Sequence, residues 1–291
     1  MARRPCALVV DSGAILHHRP DDGVSVVPLR IVFGTTVLRD GIDIGPEAFY
    51  ARLRGGEVPT TSTPSPGEYL EAFRNADADS IVCLTIPGQL SAMHQSAMLA
   101  SRLLAESGDP RRVEVVDTGS AAAGFGLVAR AAAGLCAAGA QIDEVLARVA
   151  DASSNVRMYG TLRTLQYLAR SGRVPSLVAG LSDLLGVRPL FQLDNGEARR
   201  LGIVRGEKRV IRAFAKIATE NLPADTPLWL LIFHSDAAES AAQLRDAMHS
   251  VLNAARSETI SLTPVMGAYT GPGMTGFAAM PLRGAELDQV P

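Results

Sequence analysis

Three short apolar runs, each closed by small or polar residues, constrain the fold of this chain more than any other feature. Ala7-Leu8-Val9-Val10 ends in Asp11-Ser12-Gly13, and the run over 80–86 ends in Thr85-Ile86-Pro87-Gly88. The run over 113–116 ends in Asp117-Thr118-Gly119. Apolar runs this short, bounded by turn residues, read as strands buried on both faces. Helical segments over 89–107, 121–138 and 142–152 are interleaved with them, and strands alternating with helices predict a parallel, doubly wound sheet. The polar strand tips would then gather along one edge, where such folds place ligand groups.

Residues 24–37 form a second β-rich region that closes at the turn Arg39-Asp40-Gly41, and Gly45-Pro46-Glu47 opens a helix. The stretch 59–69 carries five hydroxyl side chains, Thr60, Thr61, Ser62, Thr63 and Ser65, and three prolines. Pro64 and Pro66 hold the residues before them extended, so Thr63 and Ser65 precede a helix rather than sit inside one. Ser65 as N-cap, Pro66 at the first position and Glu68 at the third make a capping box. A stiff hydroxyl-lined loop beside a helix N-terminus favours an anionic group. Taken alone, the stretch reads first as a well-made junction between loop and helix.

After Ser153-Ser154-Asn155 the pattern changes. A strand over 156–160, helices over 161–171 and 177–185, and two strands over 187–193 and 199–204 follow. Asn195-Gly196 between those strands is a strong hairpin signal. A helix over 206–219, a long apolar strand over 228–234, a helix over 238–254, and a tail with a strand and a Thr-Gly-Pro-Gly turn complete the chain. The mixture predicts an α+β second domain, with residues 1–155 forming a Rossmann-like α/β domain with helices on both faces and 156–291 the second.

The net charge of −2 removes the electrostatic case for nucleic acid, and aromatic residues at 5% are too few for base-stacking platforms. Cys6, Cys83 and Cys136 lie far apart without metal-ligand spacing, and an odd count with no framework suits a reducing compartment. The apolar run after Arg3-Arg4-Pro5 is too short for a signal-peptide core, and no segment reaches membrane-spanning length. These features predict a soluble, cytoplasmic protein without stable membrane insertion.

Several stretches, in order and spacing, match a known family. They are Asp11-Ser12, Val27-Pro28-Leu29, Arg39-Asp40-Gly41, Thr61-Ser62-Thr63-Pro64-Ser65-Pro66-Gly67 and Leu90-Ser91 with Gln95-Ser96-Ala97. Val116-Asp117-Thr118, Gly124-Phe125-Gly126-Leu127, Ser171-Gly172-Arg173, Val204-Arg205-Gly206 and Thr270-Gly271-Pro272-Gly273 continue the match. The chain resembles the DegV family of bacterial fatty-acid-binding proteins over nearly its whole length. The resemblance implies two α/β domains with one long-chain fatty acid in an apolar tunnel between them. It also implies a partner, the catalytic subunit of a fatty-acid kinase, which receives the carboxylate and phosphorylates it with ATP to an acyl-phosphate. The binding protein then performs no chemistry and carries no cofactor besides its lipid. By the same resemblance, Thr61 and Ser91 are carboxylate-contacting hydroxyls, Ser62 flanks the site, and Arg205 lies near the head group. Ala92-Met93 after Ser91, Pro87-Gly88 before it, and Tyr269 where a histidine is common depart from the family pattern and remove polar groups near the presumed head-group end. Tyr269 still offers a phenol O–H to a carboxylate.

A serine-dependent acyl hydrolase is the alternative reading, because Ser12, Ser62 and Ser91 stand at strand or helix starts. No Gly-x-Ser-x-Gly elbow supports it. His17 and His18 lie in a polar loop and His249 on a helix surface. His94, three residues after Ser91, reads as a helix-surface or tunnel-mouth residue without an orienting third group. Gly124-Phe125-Gly126 lacks the third glycine of a dinucleotide motif, and Thr270-Gly271-Pro272-Gly273 lacks the phosphate-loop lysine. Asp11 and Asp117 read as strand-end caps rather than metal ligands, and Met93, Met98 and Met274 as core filler or tunnel lining.

Overall fold

The structure is a computed structural model, and it describes residues 3–16, 20–178 and 186–287. His17, His18 and residues 179–185 of the expected 177–185 helix lie outside the described residues.

The first half runs β1 (Ala7–Asp11), β2 (Val24–Val27), β3 (Arg30–Phe33), β4 (Thr36–Arg39), α1 (Pro46–Arg54), β5 (Thr60–Ser62), α2 (Pro66–Asn75), β6 (Ser80–Thr85), α3 (Met93–Glu106), β7 (Arg112–Asp117), α4 (Ala122–Ala137) and α5 (Ile142–Asn155). Strands β2-β1-β6-β7 form the parallel sheet that the apolar runs predicted. Alternate residues serve opposite faces. Ala7, Val9, Ile81 and Cys83 pack with Tyr69 and Phe73 of α2 and Ala97 and Leu104 of α3. Leu8, Val10, Val82 and Leu84 meet Phe125 and Leu127 of α4 and Val145 and Val149 of α5.

The second half runs β8 (Arg157–Thr161), α6 (Gln166–Ser171), α7 (Pro175–Val178), β9 (Arg188–Asp194), β10 (Glu197–Val204), α8 (Glu207–Asn221), β11 (Leu228–His234), α9 (Ala238–His249), β12 (Arg256–Ser261), α10 (Pro264–Thr270) and β13 (Thr275–Pro281). Its six strands order as β10-β9-β8-β13-β11-β12, and only β11 and β12 run parallel. Helices α8 and α9 cover one face, with Phe214 edge-on to Phe277 at 5.7 Å between ring centres. The other face packs against α4, of whose sixteen residues twelve are buried. A helix apolar on nearly every side, Arg130 excepted, belongs between two layers, and its alanines and glycines let both sheets approach closely.

Several expected boundaries shift. The hydroxyl-rich stretch is not all loop: Thr60–Ser62 adds β5 to the β3–β4 hairpin, with Thr61 opposite Ile31. The expected 161–171 helix starts only at Gln166, because Thr161 pairs with Thr275 and Leu190 as the end of β8. Helix α3 begins at Met93 rather than Gln89, since Leu90 and Ser91 donate their N–H groups to the Pro87 carbonyl in a turn. Helix α9 stops at His249 rather than running on to 254. In the tail, α10 and β13 were not expected. The hairpin stands as read: Asn195 and Gly196 take φ of 48° and 80°, and Gly196 N–H donates to the Gly119 carbonyl at 2.7 Å, joining the hairpin tip to the end of β7.

Asp40 ties the two halves together. The Ser12 hydroxyl donates to Asp40 Oδ2 at 2.6 Å, the Val265 N–H at the start of α10 donates to Asp40 Oδ1 at 3.1 Å, and the Leu29 N–H donates to the Ser12 hydroxyl at 3.2 Å. Asp40 is 2% exposed, so these bonds replace its hydration. Asp40→Ala strands two buried donors. The expected loss is about 3 kcal/mol, read as a fall of roughly 6–10 °C in thermal midpoint by calorimetry. A midpoint within a degree of the parent would show that the bridge carries no stability.

Candidate ligand-binding site

A cavity of about 120 Å³ runs between the tips of the parallel sheet and the second half, roughly ten times what one water molecule needs. Leu29, Ile86, Leu90 and Met93 supply its wall from the first half, with Ala121 and Ala122 at the start of α4. Met158, Leu162, Leu168, Leu177, Phe191 and Leu193 supply it from the second, and Val265 and Met266 of α10 close it. Its few polar lining side chains are Asp11, Ser91, Arg173, Tyr269 and Thr270.

Three polar residues form a linked group at one end, and Ser91 borders the cavity beside it. The Thr61 and Tyr269 hydroxyls are hydrogen-bonded to each other. The Arg173 guanidinium lies 5.5 Å from the Tyr269 ring centre, within cation–π range, and its Nε donates to the Leu90 carbonyl at 3.1 Å, next to Ser91. Ser91 itself makes no side-chain hydrogen bond among the described residues. Tyr269 and Arg173 also border a second, outer cleft of about 240 Å³ with Val58, Thr60, Thr61 and Arg170, so this end of the cavity leads to the surface. The group therefore offers hydroxyl donors and one guanidinium to an acidic head, with an apolar passage behind it.

Of the residues proposed from sequence, Thr61, Ser91 and Tyr269 come together here. Ser62 is exposed and does not border the cavity, because alternation along β5 turns it to the face opposite Thr61. Arg205 is exposed beyond the end of β10 and does not border the cavity either. Arg173 occupies the position expected of a cation near the head group. Its Ser171-Gly172-Arg173 motif was visible in the sequence, but its proximity to Tyr269 depends on the Gly172 turn after α6, where φ is 63°. The α2 N-terminus is no anion site: Glu68 already accepts from Ser65 N–H at 2.8 Å and pairs with Arg30 at 2.7 Å. Met93 and Met274 line the cavity and Met98 does not. Pro87 and Gly88 lie outside it, and Gly88 N–H donates to Asp117 at 3.0 Å. His94 is half-buried, with Nδ1 hydrogen-bonded to the Thr85 hydroxyl at 3.1 Å rather than paired with Ser91.

The family model described as "Uncharacterised protein, DegV family" matches residues 5–282. The chain belongs to the DegV family. It is 33% identical over 279 residues to a DegV domain-containing protein of Streptomyces coelicolor, covering 94% of this chain and 97% of that one. A Thermotoga maritima protein named fatty acid-binding protein is 30% identical over 235 residues, 79% of this chain and 80% of its own. A solved DegV family structure from Thermus thermophilus, described by its fatty acid binding, superposes with a TM-score of 0.85 at 32% identity, over 97% of this chain and 100% of that one. Among the described residues of this DegV member, no helix is long and apolar enough to cross a membrane, and no group of three or more His, Cys, Asp or Glu is placed to hold a metal ion.

Asp11 stands apart among the cavity's polar residues. It is fully buried, its Oδ1 accepts from Gly13 N–H at 2.8 Å, and its Oδ2 has no partner among the described residues. Burial pushes its carboxyl up to about 7; the Gly13 bond opposes this, and the neighbouring Asp40 adds to it. In the unfolded chain Asp11 ionises near 3.8, so between that value and about 7 the folded state holds the extra proton. The stabilisation is complete below the unfolded value and is lost as pH rises through the folded one. About three pH units at 1.4 kcal/mol each set its upper limit near 4 kcal/mol. Asp11→Asn keeps the Gly13 bond and lacks the titration. Urea unfolding of both proteins should therefore show the variant gaining on the parent by a few kcal/mol from pH 4 to 7, then a constant difference. A difference that stays flat across that window would place the titration elsewhere.

Proposed function

We propose that this chain is a carrier that binds a long-chain fatty acid in the interdomain channel, between units 1–155 and 156–291, and presents its carboxylate to a separate ATP-dependent fatty-acid kinase. The observation that carries the reading is the channel itself: an apolar wall, with Thr61, Ser91, Tyr269 and Arg173 grouped where it opens to the surface. Fatty-acid binding by the Thermus and Thermotoga relatives supports it. Burying each methylene of the tail contributes about 0.8 kcal/mol, so the tail supplies most of the gross affinity. The hydroxyls and guanidinium add charge-assisted bonds of roughly 1.5–3 kcal/mol and fix which end faces outward. The exposed Arg173 and Arg170 beside Val58 give the hand-off a cationic rim with an apolar contact point. The carrier performs no chemistry of its own, and the three buried free thiols suit a cytoplasmic setting.

Native mass spectrometry of the purified protein should show one long-chain fatty acid per chain, with no turnover of acyl esters. Thr61→Ala and Ser91→Ala should each weaken retention of the acid about tenfold, the equivalent of one charge-assisted bond, with the fold intact by circular dichroism. Unchanged retention in the double variant would put the head group elsewhere. Ester hydrolysis abolished by Ser91→Ala would favour an enzyme instead.

A further inference from the structure

The channel is bordered by one carboxyl whose second oxygen is used by neither the fold nor the head-group cluster. Asp11 closes β1 on the same face as Ala7 and Val9, toward α2 and α3, and borders the cavity. A carboxyl kept only for structure would be satisfied on both oxygens, as its neighbour Asp40 is by Ser12 and Val265. Asp11 is satisfied on Oδ1 alone, although it is fully buried. The Tyr69 hydroxyl is also buried and unpaired, but it lies within the α2–α3 core and does not border the cavity.

We propose that Asp11 Oδ2 is a subsite for a hydroxyl group carried part-way along the acyl chain, so that the protein favours one positional isomer of a hydroxy fatty acid. The inference rests on the fatty-acid reading and deepens it. A second anion is excluded at this point by Asp11 and Asp40 together, and a cation by the apolar wall around them. A hydroxyl both donates and accepts, so it serves Oδ2 whether the carboxyl is protonated or ionised. Since burial holds Asp11 near 7, both forms are populated at neutral pH. A plain methylene at the same position leaves Oδ2 bare, and away from the head-group cluster a hydroxyl elsewhere meets hydrocarbon or Thr270, whose hydroxyl already donates to the Met266 carbonyl at 3.0 Å.

Calorimetric titration of delipidated protein with hexadecanoic acid and with its mid-chain monohydroxy isomers tests this. One isomer, or two adjacent ones, should bind at least tenfold more tightly than the remaining hydroxy acids. In Asp11→Leu the affinity of that isomer relative to the plain acid should fall at least tenfold, while Asp11→Asn, which keeps the Gly13 bond and a polar terminus, should hold the ratio within about threefold. A uniform penalty across all isomers in the parent protein overturns the subsite, whether or not the leucine variant folds, and leaves the fatty-acid reading standing. A preference that survives in Asp11→Leu also overturns it. Failure of every acid, plain or hydroxylated, to bind overturns the fatty-acid reading and the subsite with it.

Discussion

Asp40 sits where the β3–β4 hairpin, the tip of β1 and the start of α10 meet, and its two oxygens accept from Ser12 and Val265, 225 residues from Asp40 in the chain. Burying a carboxylate is unfavourable, and burial does push Asp40 above its ordinary value, opposed by those same two bonds. What the arrangement provides is register. Helix α10 contributes Val265, Met266 and Tyr269 to the channel, so the bond that seats its first turn also sets where the Tyr269 hydroxyl lies relative to Thr61. Gly267 serves the same placement from the other side, since a Cβ there would come within 2.7 Å of the Phe49 ring and the Tyr50 hydroxyl of α1.

The channel is otherwise a consequence of layering. With α4 filling the space between the two sheets, the halves meet closely along that helix and diverge at the strand tips beyond its first turn. Polar residues at those tips would ordinarily face solvent. Here the β9–β10 turn, through Gly196, and α10, through Val265, reach over them, and the Thr118 hydroxyl answers its burial by donating to the Thr85 carbonyl. Among the described residues that line the cavity, Ser91 and Asp11 keep a side-chain oxygen without a partner.

Much of this was readable in the sequence because the parallel strands announce themselves. Runs such as Leu8-Val9-Val10 and Ile81-Val82-Cys83-Leu84 are apolar without interruption, and the Ser65–Glu68 capping box and the Asn195-Gly196 turn form as local chemistry dictates. Strand β13 was missed because Thr275-Gly276-Phe277-Ala278-Ala279 has no alternation and a single β-branched residue, Thr275. Its identity as a strand comes from β8 and β11 on either side. Helix α10 did carry a signal, Thr263 before Pro264, but its seven residues are too few to show a period. Among the site residues, Thr61 and Ser62 are indistinguishable by type, and only pairing of β5 with β3 decides which turns inward. Arg173 and Arg205 differ likewise in where their turns deliver them.

The place of β13 has a bearing on biosynthesis. It comes after every other described strand in the sequence, yet it lies between β8 and β11, so until it is made the strands on its two sides stand as separate pieces with open edges. Tyr269 and the rest of α10 emerge just ahead of it. The channel therefore has no closed wall on the ribosome, and a chain interrupted before residue 275 is left with open, apolar strand edges that invite aggregation.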